Sequence, residues 1–125
     1  MKLSSAVEAK LKGLHPDLVK VVRRAQETSA VLFTVIEGLR TKATQKKYVA
    51  AGKSKTMNSR HLTGHAVDVA PVVDGKISWD WKDFWPLVDA FEQAAKDVGV
   101  PVEMGARWKS FPDGPHVQLP WKDYP

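Results

Sequence analysis

The sequence predicts an α+β fold: one compact domain in which a small antiparallel sheet is flanked by helices. Its 125 residues have the length of one ordinary domain. Segments with helical hydrophobic spacing are interspersed with short β-branched runs, a mixture typical of α+β proteins. The composition, 43% hydrophobic and 26% charged residues, is that of a globular protein. We therefore expect residues 1–125 to form a single domain.

The first 28 residues predict two helices. Residues 3–11 have only weak helical spacing. Residues 17–28 place four apolar side chains on one stripe with a period of 3.6 residues. Pro16 fits the first turn of this second helix, where its missing N–H group is not needed.

A buried strand and a basic helix follow. The run AVLFTVI at residues 30–36 is β-branched and aromatic, which favours a strand ending before Gly38. Residues 41–51 predict a basic helix closed by Gly52. Residues 53–64 are polar and rich in Ser, Thr, Asn and Gly, so we expect a loop there.

The second half predicts a hairpin, a long helix and two short strands. Residues 66–73 read as a strand, and Asp74–Gly75 is a hairpin-type turn before a strand at 76–79. Residues 83–98 form the strongest predicted helix, because seven apolar residues share one face and a glycine follows. The short strands are expected at residues 100–104 and 116–119.

Composition limits the possible functions. The chain has no cysteine, so disulfide frameworks and thiolate metal sites are excluded, and His, Asp and Glu remain as metal ligands. The net charge of +5 favours an anionic partner. The basic residues are dispersed, however, and we expect no nucleic-acid partner. The sequence has neither the apolar core of a secretory signal nor ~20 consecutive apolar residues, which predicts cytosolic synthesis without stable membrane insertion.

Two histidines and two aspartates have an arrangement that suits metal-dependent hydrolysis. Asp68 lies inside an apolar strand, where a carboxylate is costly unless it is paired or bound to a metal. His61 precedes this strand, and Asp113 stands three residues before His116. Two imidazoles and one carboxylate form a three-ligand zinc site that leaves a position open, as in catalytic zinc centres. A further carboxylate could transfer protons.

Spacing alone leaves other interpretations open. Either histidine could be a hydrogen-bonded structural residue, and Asp68 could pair with Arg60 or Arg107. His65 stands four residues after His61, the spacing of a helical zinc pair. No Glu follows His61 and a glycine between the two disfavours a helix, so we interpret His65 as solvent-facing or as a supporting residue.

Three ordered motifs resemble those of the D-Ala-D-Ala-metallopeptidase-like family. The string SRHLTGHAVDVAP at residues 59–71 resembles its S-x-H-x-x-G-x-A-x-D signature, with all five fixed letters present. Residues 113–116 match the acid-x-x-His element, and residues 38–45 match G-x-R-[ST]-x-x-x-Q. The family includes D,D-dipeptidases, D,D-carboxypeptidases and phage L-alanyl-D-glutamate endopeptidases.

The resemblance implies a role for each matching residue. His61, Asp68 and His116 would hold Zn²⁺, and Asp113 would act as the general acid and base. Arg40 would lie near the scissile carbonyl or a substrate carboxylate, where its guanidinium could stabilise developing negative charge.

Three further residues are implied as substrate contacts. Gln45 and Ser59 are candidate hydrogen-bonding partners of the substrate, and Trp108 would form a wall of the cleft. The short chain, the Asp of the acid-x-x-His element and the run at residues 108–113 resemble the phage endolysin branch. Arg107 departs from that branch, where Gly-Gly-Asp/Asn-Trp is frequent, and this departure concerns contacts with the substrate and not the hydrolytic chemistry.

We therefore predict a single zinc peptidase domain over residues 1–125, with no separate cell-wall-binding domain. It would hydrolyse the L-alanyl–D-glutamate bond of peptidoglycan stem peptides as a monomer. We expect it to wait in the host cytoplasm until it is released to the cell wall. A D-Ala-D-Ala dipeptidase or carboxypeptidase is the alternative within the family. A non-catalytic wall- or nucleic-acid-binding module is the alternative from another class.

Overall fold

Helices and short strands are interspersed along the chain in the computed structural model, which describes residues 5–54 and 56–125. Two 3₁₀ turns, Arg60–Thr63 and Gly105–Arg107, lie between the regular elements. The regular elements are α1 (Ser5–Ala9), α2 (Pro16–Thr28), β1 (Phe33–Glu37), α3 (Lys42–Ala50), β2 (Ala66–Val73), β3 (Lys76–Ile77), α4 (Trp81–Val98), β4 (Glu103–Met104) and β5 (His116–Gln118).

The strands form one antiparallel sheet with the order β1-β2-β5-β4, and β3 pairs with the end of β2. The long strand β2 is therefore central. Its Asp68 lies opposite His116 of β5 in the sheet register. The predicted α+β fold with a small antiparallel sheet is confirmed.

The core lies between the sheet and the two long helices, because α2 packs against α4 and α4 packs against β2. The predicted stripe of α2, including Leu18 and Val22, is completely buried. Phe91 of α4 meets Phe33 of β1 edge to face, with ring centroids 5.2 Å apart. Burial of one such large apolar side chain contributes about 1.5–3 kcal/mol. This core gives β2 and β5 a rigid support.

Strand β1 begins three residues later than predicted, at Phe33 instead of Ala30. The hydroxyl of Ser29 accepts a hydrogen bond from the N–H of Val31 and donates one to its carbonyl oxygen. These bonds hold the preceding segment in a local turn, and Leu32 remains exposed. The hydrophobic pattern of a sequence does not reveal a hydrogen bond of this kind between a side chain and the backbone.

Other boundaries differ in smaller ways. Helix α4 begins at Trp81, two residues before the predicted start. The last strand pair is shorter than predicted, since β4 covers only Glu103–Met104. The predicted loop at 53–64 contains the 3₁₀ turn Arg60–Thr63, while residue 55 of that loop lies outside the described residues, as do residues 3–4 of the first predicted helix. No helix in the described part of the chain is long and apolar enough to span a membrane.

Candidate active site and metal centre

Three potential metal ligands converge at the centre of the sheet. Asp68 comes from β2, His116 opens β5 and His61 comes from the 3₁₀ turn before β2. One ligand atom from each lies within 4.8 Å of the others. Oδ1 of Asp68 is 3.1 Å from Nε2 of His61 and 3.3 Å from Nδ1 of His116. Residues far apart in sequence thus form one compact cluster.

The outer nitrogen of each imidazole has its own acceptor. Nδ1–H of His61 donates to the carbonyl oxygen of Gly38 at 2.9 Å. Nε2–H of His116 donates to Oε1 of Gln118 at 2.7 Å. The other nitrogen of each ring faces Oδ1 of Asp68. Histidine ligands of metals are oriented in this way, so the donor set fits a divalent cation.

The charges within the cluster favour an ionised ligand set. Burial disfavours a charge on Asp68, but hydrogen bonds with His116 and His61 hold the pKa of this carboxyl well below its ordinary value. Burial also opposes a charge on His116, yet its hydrogen bond with Asp68 raises the pKa of the imidazole. A cation bound here would take over the position of the shared protons.

Asp113 stands at the exposed rim of the cluster. Its backbone N–H donates to the carbonyl oxygen of Gly105 at 2.9 Å, and its own carbonyl accepts from the N–H of His116 at 3.2 Å. Desolvation and the negative charge of Asp68 raise the pKa of the Asp113 carboxyl. A carboxyl with a raised pKa, beside the cluster but accessible, can both accept and deliver a proton.

Arg40 lies beside the three ligands and is held rigidly. Its Nη2 is 3.9 Å from Oδ2 of Asp68, and its guanidinium forms an ion pair with Glu37. Nη1 donates to Oε1 of Gln45 at 2.6 Å, and the ring of Tyr48 lies 4.6 Å from Cζ. The guanidinium of Arg40 is therefore buried, and its positive charge lies close to the cluster.

Two predicted substrate contacts hold other site residues in position. Gln45 is completely buried, and its Nε2 donates to the hydroxyl of Ser54 and the carbonyl oxygen of Thr56. Ser59 caps the 3₁₀ turn, where its hydroxyl accepts from the N–H of His61 at 3.2 Å. In the structure Gln45 thus supports Arg40, and Ser59 fixes the turn that carries His61.

Trp108 lies against the cluster. The centroid of its indole is 5.2 Å from the ring of His116, and its Nε1–H donates to Glu103 at 3.1 Å. This half-buried indole therefore lies beside one of the three potential metal ligands.

The other proposed partners of Asp68 are engaged elsewhere. Arg60 donates to the carbonyl oxygen of Leu119 at 3.1 Å and stacks on Trp121. Arg107 binds two carboxylates of α4, Asp89 and Glu92. The pairing of Asp68 with either arginine is therefore wrong.

His65 lies outside the cluster. Its Nδ1 is 2.7 Å from the hydroxyl of Thr63, and its ring lies 5.4 Å from that of His15. Its half-buried position behind the turn fits a supporting residue.

The sequence reasoning missed Glu37, Tyr48 and Gln118. Glu37 ends β1 and accepts from both Arg40 and the hydroxyl of Tyr48. No local motif marks these two residues, because their contact with Arg40 is made by folding. Gln118 carried a detectable signal: it stands two residues after His116 and therefore on the same face of the strand.

Two glycines of the site are required by close contacts. Gly64 has φ +76°, and a Cβ at this position would lie 2.2 Å from the carbonyl oxygen of Gly13. A Cβ on Gly105 would lie 2.5 Å from the carbonyl oxygen of Asp113 and 2.8 Å from Cβ of His116. Gly105 thus allows the backbone to lie directly against Asp113 and His116, and Gly64 allows the turn that carries His61 to pack against Gly13.

Comparison with known proteins identifies the family. A family model described as phage L-alanyl-D-glutamate peptidase matches residues 1–119. The chain belongs to this family. The L-alanyl-D-glutamate peptidase of Escherichia phage T5 is 40% identical over 94% of this chain and 97% of its own length. The enzyme of the same name from Listeria phage A118 is 35% identical over 78% of this chain and 34% of its own length.

A solved relative has the same fold as this member of the phage L-alanyl-D-glutamate peptidase family. The crystal structure of the L-Ala D-Glu endopeptidase ChiX from Serratia marcescens superposes with a TM-score of 0.93 and 47% identity. The match covers 100% of this chain and 94% of ChiX. The similarity therefore extends over the whole fold, including the sheet and the turn that carry the cluster.

Proposed function

We propose that this chain is a zinc-dependent peptidoglycan endopeptidase that hydrolyses the L-alanyl–D-glutamate bond of stem peptides. One observation carries the proposal: His61, Asp68 and His116 converge in a chain 47% identical to an L-Ala D-Glu endopeptidase. We further propose that residues 1–125 act as a single peptidase domain. Zinc is the preferred ion for two imidazoles and one carboxylate in hydrolytic sites.

Zinc held by these three residues would supply Lewis acidity toward the scissile carbonyl and lower the pKa of a water molecule. Asp113 would accept a proton from the attacking water and deliver it to the amide nitrogen of D-glutamate as the bond breaks. Its place beside the cluster and its raised pKa suit a group that must alternate between protonation states.

Arg40 would stabilise the negative charge that develops on the carbonyl oxygen. The guanidinium is already in position before the substrate arrives, because Glu37, Gln45 and Tyr48 hold it. A group that is already oriented needs no reorganisation in the transition state, which is the condition for effective electrostatic stabilisation. Trp108 would limit the cleft beside His116 and position the stem peptide.

The products of peptidoglycan digestion test the bond specificity. Sacculi incubated with the purified zinc-loaded protein should yield glycan-bound peptides that end in L-alanine, together with free peptides that begin with D-glutamate. Mass spectrometry distinguishes these from released D-alanine, which would contradict the proposal and favour D-Ala-D-Ala cleavage. Zinc content near zero after native purification, together with wall binding without cleavage, would favour a non-catalytic module.

The similarity to phage enzymes supports a role as an endolysin in host lysis. In this proposal the monomeric protein waits in the host cytoplasm and reaches the wall after the membrane is opened. Expression in a Gram-negative host should leave turbidity unchanged until the membrane is permeabilised, after which turbidity should fall. Lysis that needs no permeabilisation would contradict this cytoplasmic stage.

A further inference from the structure

Three tryptophans at the start of α4 form an exposed aromatic surface. Trp79 precedes the helix and is 63% exposed, while Trp81 and Trp85 lie one turn apart in α4 and are 44% and 39% exposed. The indoles of Trp81 and Trp85 are 5.6 Å apart between centroids. We call these three residues the tryptophan platform.

One buried aromatic residue connects the platform with the fold. Phe84 is only 3% exposed, and the rings of Trp79 and Trp81 both lie 6.3 Å from its ring. The core therefore uses Phe84 and leaves the three indoles partly exposed to solvent. A contiguous exposed apolar surface of this kind typically marks an interaction site, because folding does not require it.

Through Phe84 and Arg107, the platform adjoins two segments of the chain that carry candidate active-site residues. Phe84 lies directly against Gly114, since a Cβ on this glycine would be 3.3 Å from Cδ1 of the phenylalanine. Gly114 follows Asp113, the candidate proton carrier. On the other side, the Trp85 ring lies 5.7 Å from Cζ of Arg107. Arg107 immediately precedes the indole that contacts the His116 ring.

The covalent structure of peptidoglycan places a sugar near any enzyme that cuts at this position. L-Alanine is the first residue of the stem, and its nitrogen is joined through a lactyl group to a hexosamine of the glycan. One extended residue spans at most ~3.6 Å. Consequently the glycan lies only a few bonds beyond the scissile amide, and it must occupy surface directly adjoining the catalytic groups.

We propose that the tryptophan platform binds the N-acetylhexosamine glycan to which the stem peptide is attached. The inference rests on the proposed function for the identity of the substrate. The apolar C–H face of a pyranose ring packs on an indole, while its hydroxyl and acetamido groups remain hydrated at the edges. Three indoles beside the cleft would hold the sugars and present the first peptide bond to the cluster.

Kinetics on two substrates with the same peptide test this proposal. One substrate is the disaccharide-linked tetrapeptide, and the other is the N-acetylated tetrapeptide, which retains the amide but lacks the sugars. In the double variant Trp79→Leu/Trp81→Leu we expect KM for the disaccharide substrate to rise ~5–20-fold, the effect of losing about 1–2 kcal/mol of binding. We expect its kcat, and both constants for the sugar-free peptide, to remain unchanged.

The variant Trp79→Tyr/Trp81→Tyr is the matched control. It retains aromatic faces where the leucine variant retains only apolar area, so its KM for the disaccharide substrate should stay within ~2-fold of wild type, below ~0.4 kcal/mol. Equal kinetics of wild type and the leucine variant on the disaccharide substrate would overturn the platform. A parallel loss on both substrates would also overturn it, because the indoles would then act on the peptide or the fold.

A binding measurement separates this inference from the proposed function. Peptide-free glycan chains, titrated into the zinc-loaded protein, should quench tryptophan fluorescence in wild type and much less in the leucine variant, which keeps only Trp85 of the platform. Glycan binding without cleavage of either peptide would disprove the proposed reaction and leave the platform standing. Cleavage without glycan binding would overturn the platform and leave the proposed reaction standing. Concentration-dependent dimerisation that the leucine variant abolishes would assign the surface to a second copy and overturn the proposal.

Discussion

The side-chain oxygen of Gln118 lies 2.7 Å from Nε2 of His116 and determines which ring nitrogen faces Asp68. Both residues are buried, and they project from the same face of β5 because side chains of a strand repeat every two residues. An amide oxygen can only accept, so Nε2 carries a proton, which leaves Nδ1 as the nitrogen that would bind a cation together with Asp68. A hydrogen bond between two side chains of one short strand thus orients a candidate zinc ligand.

We expect Gln118→Leu to weaken zinc affinity about 10–100-fold, the usual effect of losing a residue that orients a metal-bound histidine. Competition with a chromophoric chelator measures this change. Gln118→Glu is the control, since it retains an acceptor at the same position and should keep affinity near that of wild type. Equal zinc affinity of the leucine variant and wild type would show that Gln118 does not orient the ring.

Asp113→Asn should lower kcat about 10²–10⁴-fold, because an amide cannot accept or deliver the proton. Zinc content should stay at the wild-type level, because Asp113 lies outside the three-ligand cluster. Elemental analysis and cleavage of the N-acetylated tetrapeptide check both expectations on one preparation. Asp113→Glu retains the carboxyl group and should keep more activity than the asparagine variant. Full activity of Asp113→Asn would remove this residue from the mechanism.

The orientation of Arg40 gives a graded prediction. Arg40→Lys should lower kcat about 10²–10³-fold, the usual effect of losing one group that stabilises a developing oxyanion. Lysine lacks the planar guanidinium that binds Glu37 and Gln45 at the same time. Glu37→Gln should have a smaller effect of about tenfold, since it frees the guanidinium without removing it. Rates at saturating substrate, measured with the melting temperature of each variant, separate catalysis from folding. Wild-type kcat in Arg40→Lys would contradict the assignment.

Helical periodicity and motif spacing predicted most of the fold and brought the right residues into view. The apolar face of α4 needs no tertiary information, because Phe84, Leu87 and Phe91 follow the helical period and are buried. The motif residues His61, Asp68 and His116 are indeed brought together, although their roles as zinc ligands stay predictions.

The supporting contacts could not be predicted, because they depend on how distant segments meet. In the sequence, Glu37 is only a polar residue at the end of a predicted strand. The fold brings its carboxylate into contact with Arg40 and Tyr48. Gln45 belongs to a motif that predicts a substrate contact, and that contact stays a prediction; only the fold shows that its buried amide connects Arg40 with Ser54 and Thr56. Such roles follow from three-dimensional packing and not from spacing.

Gly64 should tolerate no side chain. Gly64→Ala adds a Cβ in a left-handed conformation and directly against the Gly13 carbonyl, so the free energy of unfolding should fall by about 3 kcal/mol or more. Gly52→Ala is the matched control: its φ is +74°, and nothing lies within 4 Å of the added Cβ. This control should cost only about 1–2 kcal/mol. Urea unfolding of both variants measures the difference. Equal losses of unfolding free energy would show that the close contact with Gly13 does not affect stability.

The C-terminal segment should add a stabilising contribution that disappears at alkaline pH. The hydroxyl of Tyr124 donates to Oδ2 of Asp17 at 2.7 Å, and this bond, with partial desolvation, raises the pKa of the phenol to about 12. A raised folded-state pKa means that the stabilisation is complete below pH ~10, the ordinary pKa of tyrosine, and is lost as the pH rises toward 12. Tyr124→Phe should therefore be less stable than wild type at pH 8, and the gap should close between pH 10 and 12.

Urea unfolding of wild type and Tyr124→Phe at several pH values measures this gap, in which the titration of the lysines common to both proteins cancels. Asp17→Asn provides the control, because an amide oxygen still accepts the bond but adds no negative charge. Its stability should consequently decline less steeply above pH 10 than that of wild type. A difference between wild type and Tyr124→Phe that stays constant from pH 8 to 12 would show that the phenol titrates alike in the folded and unfolded chain.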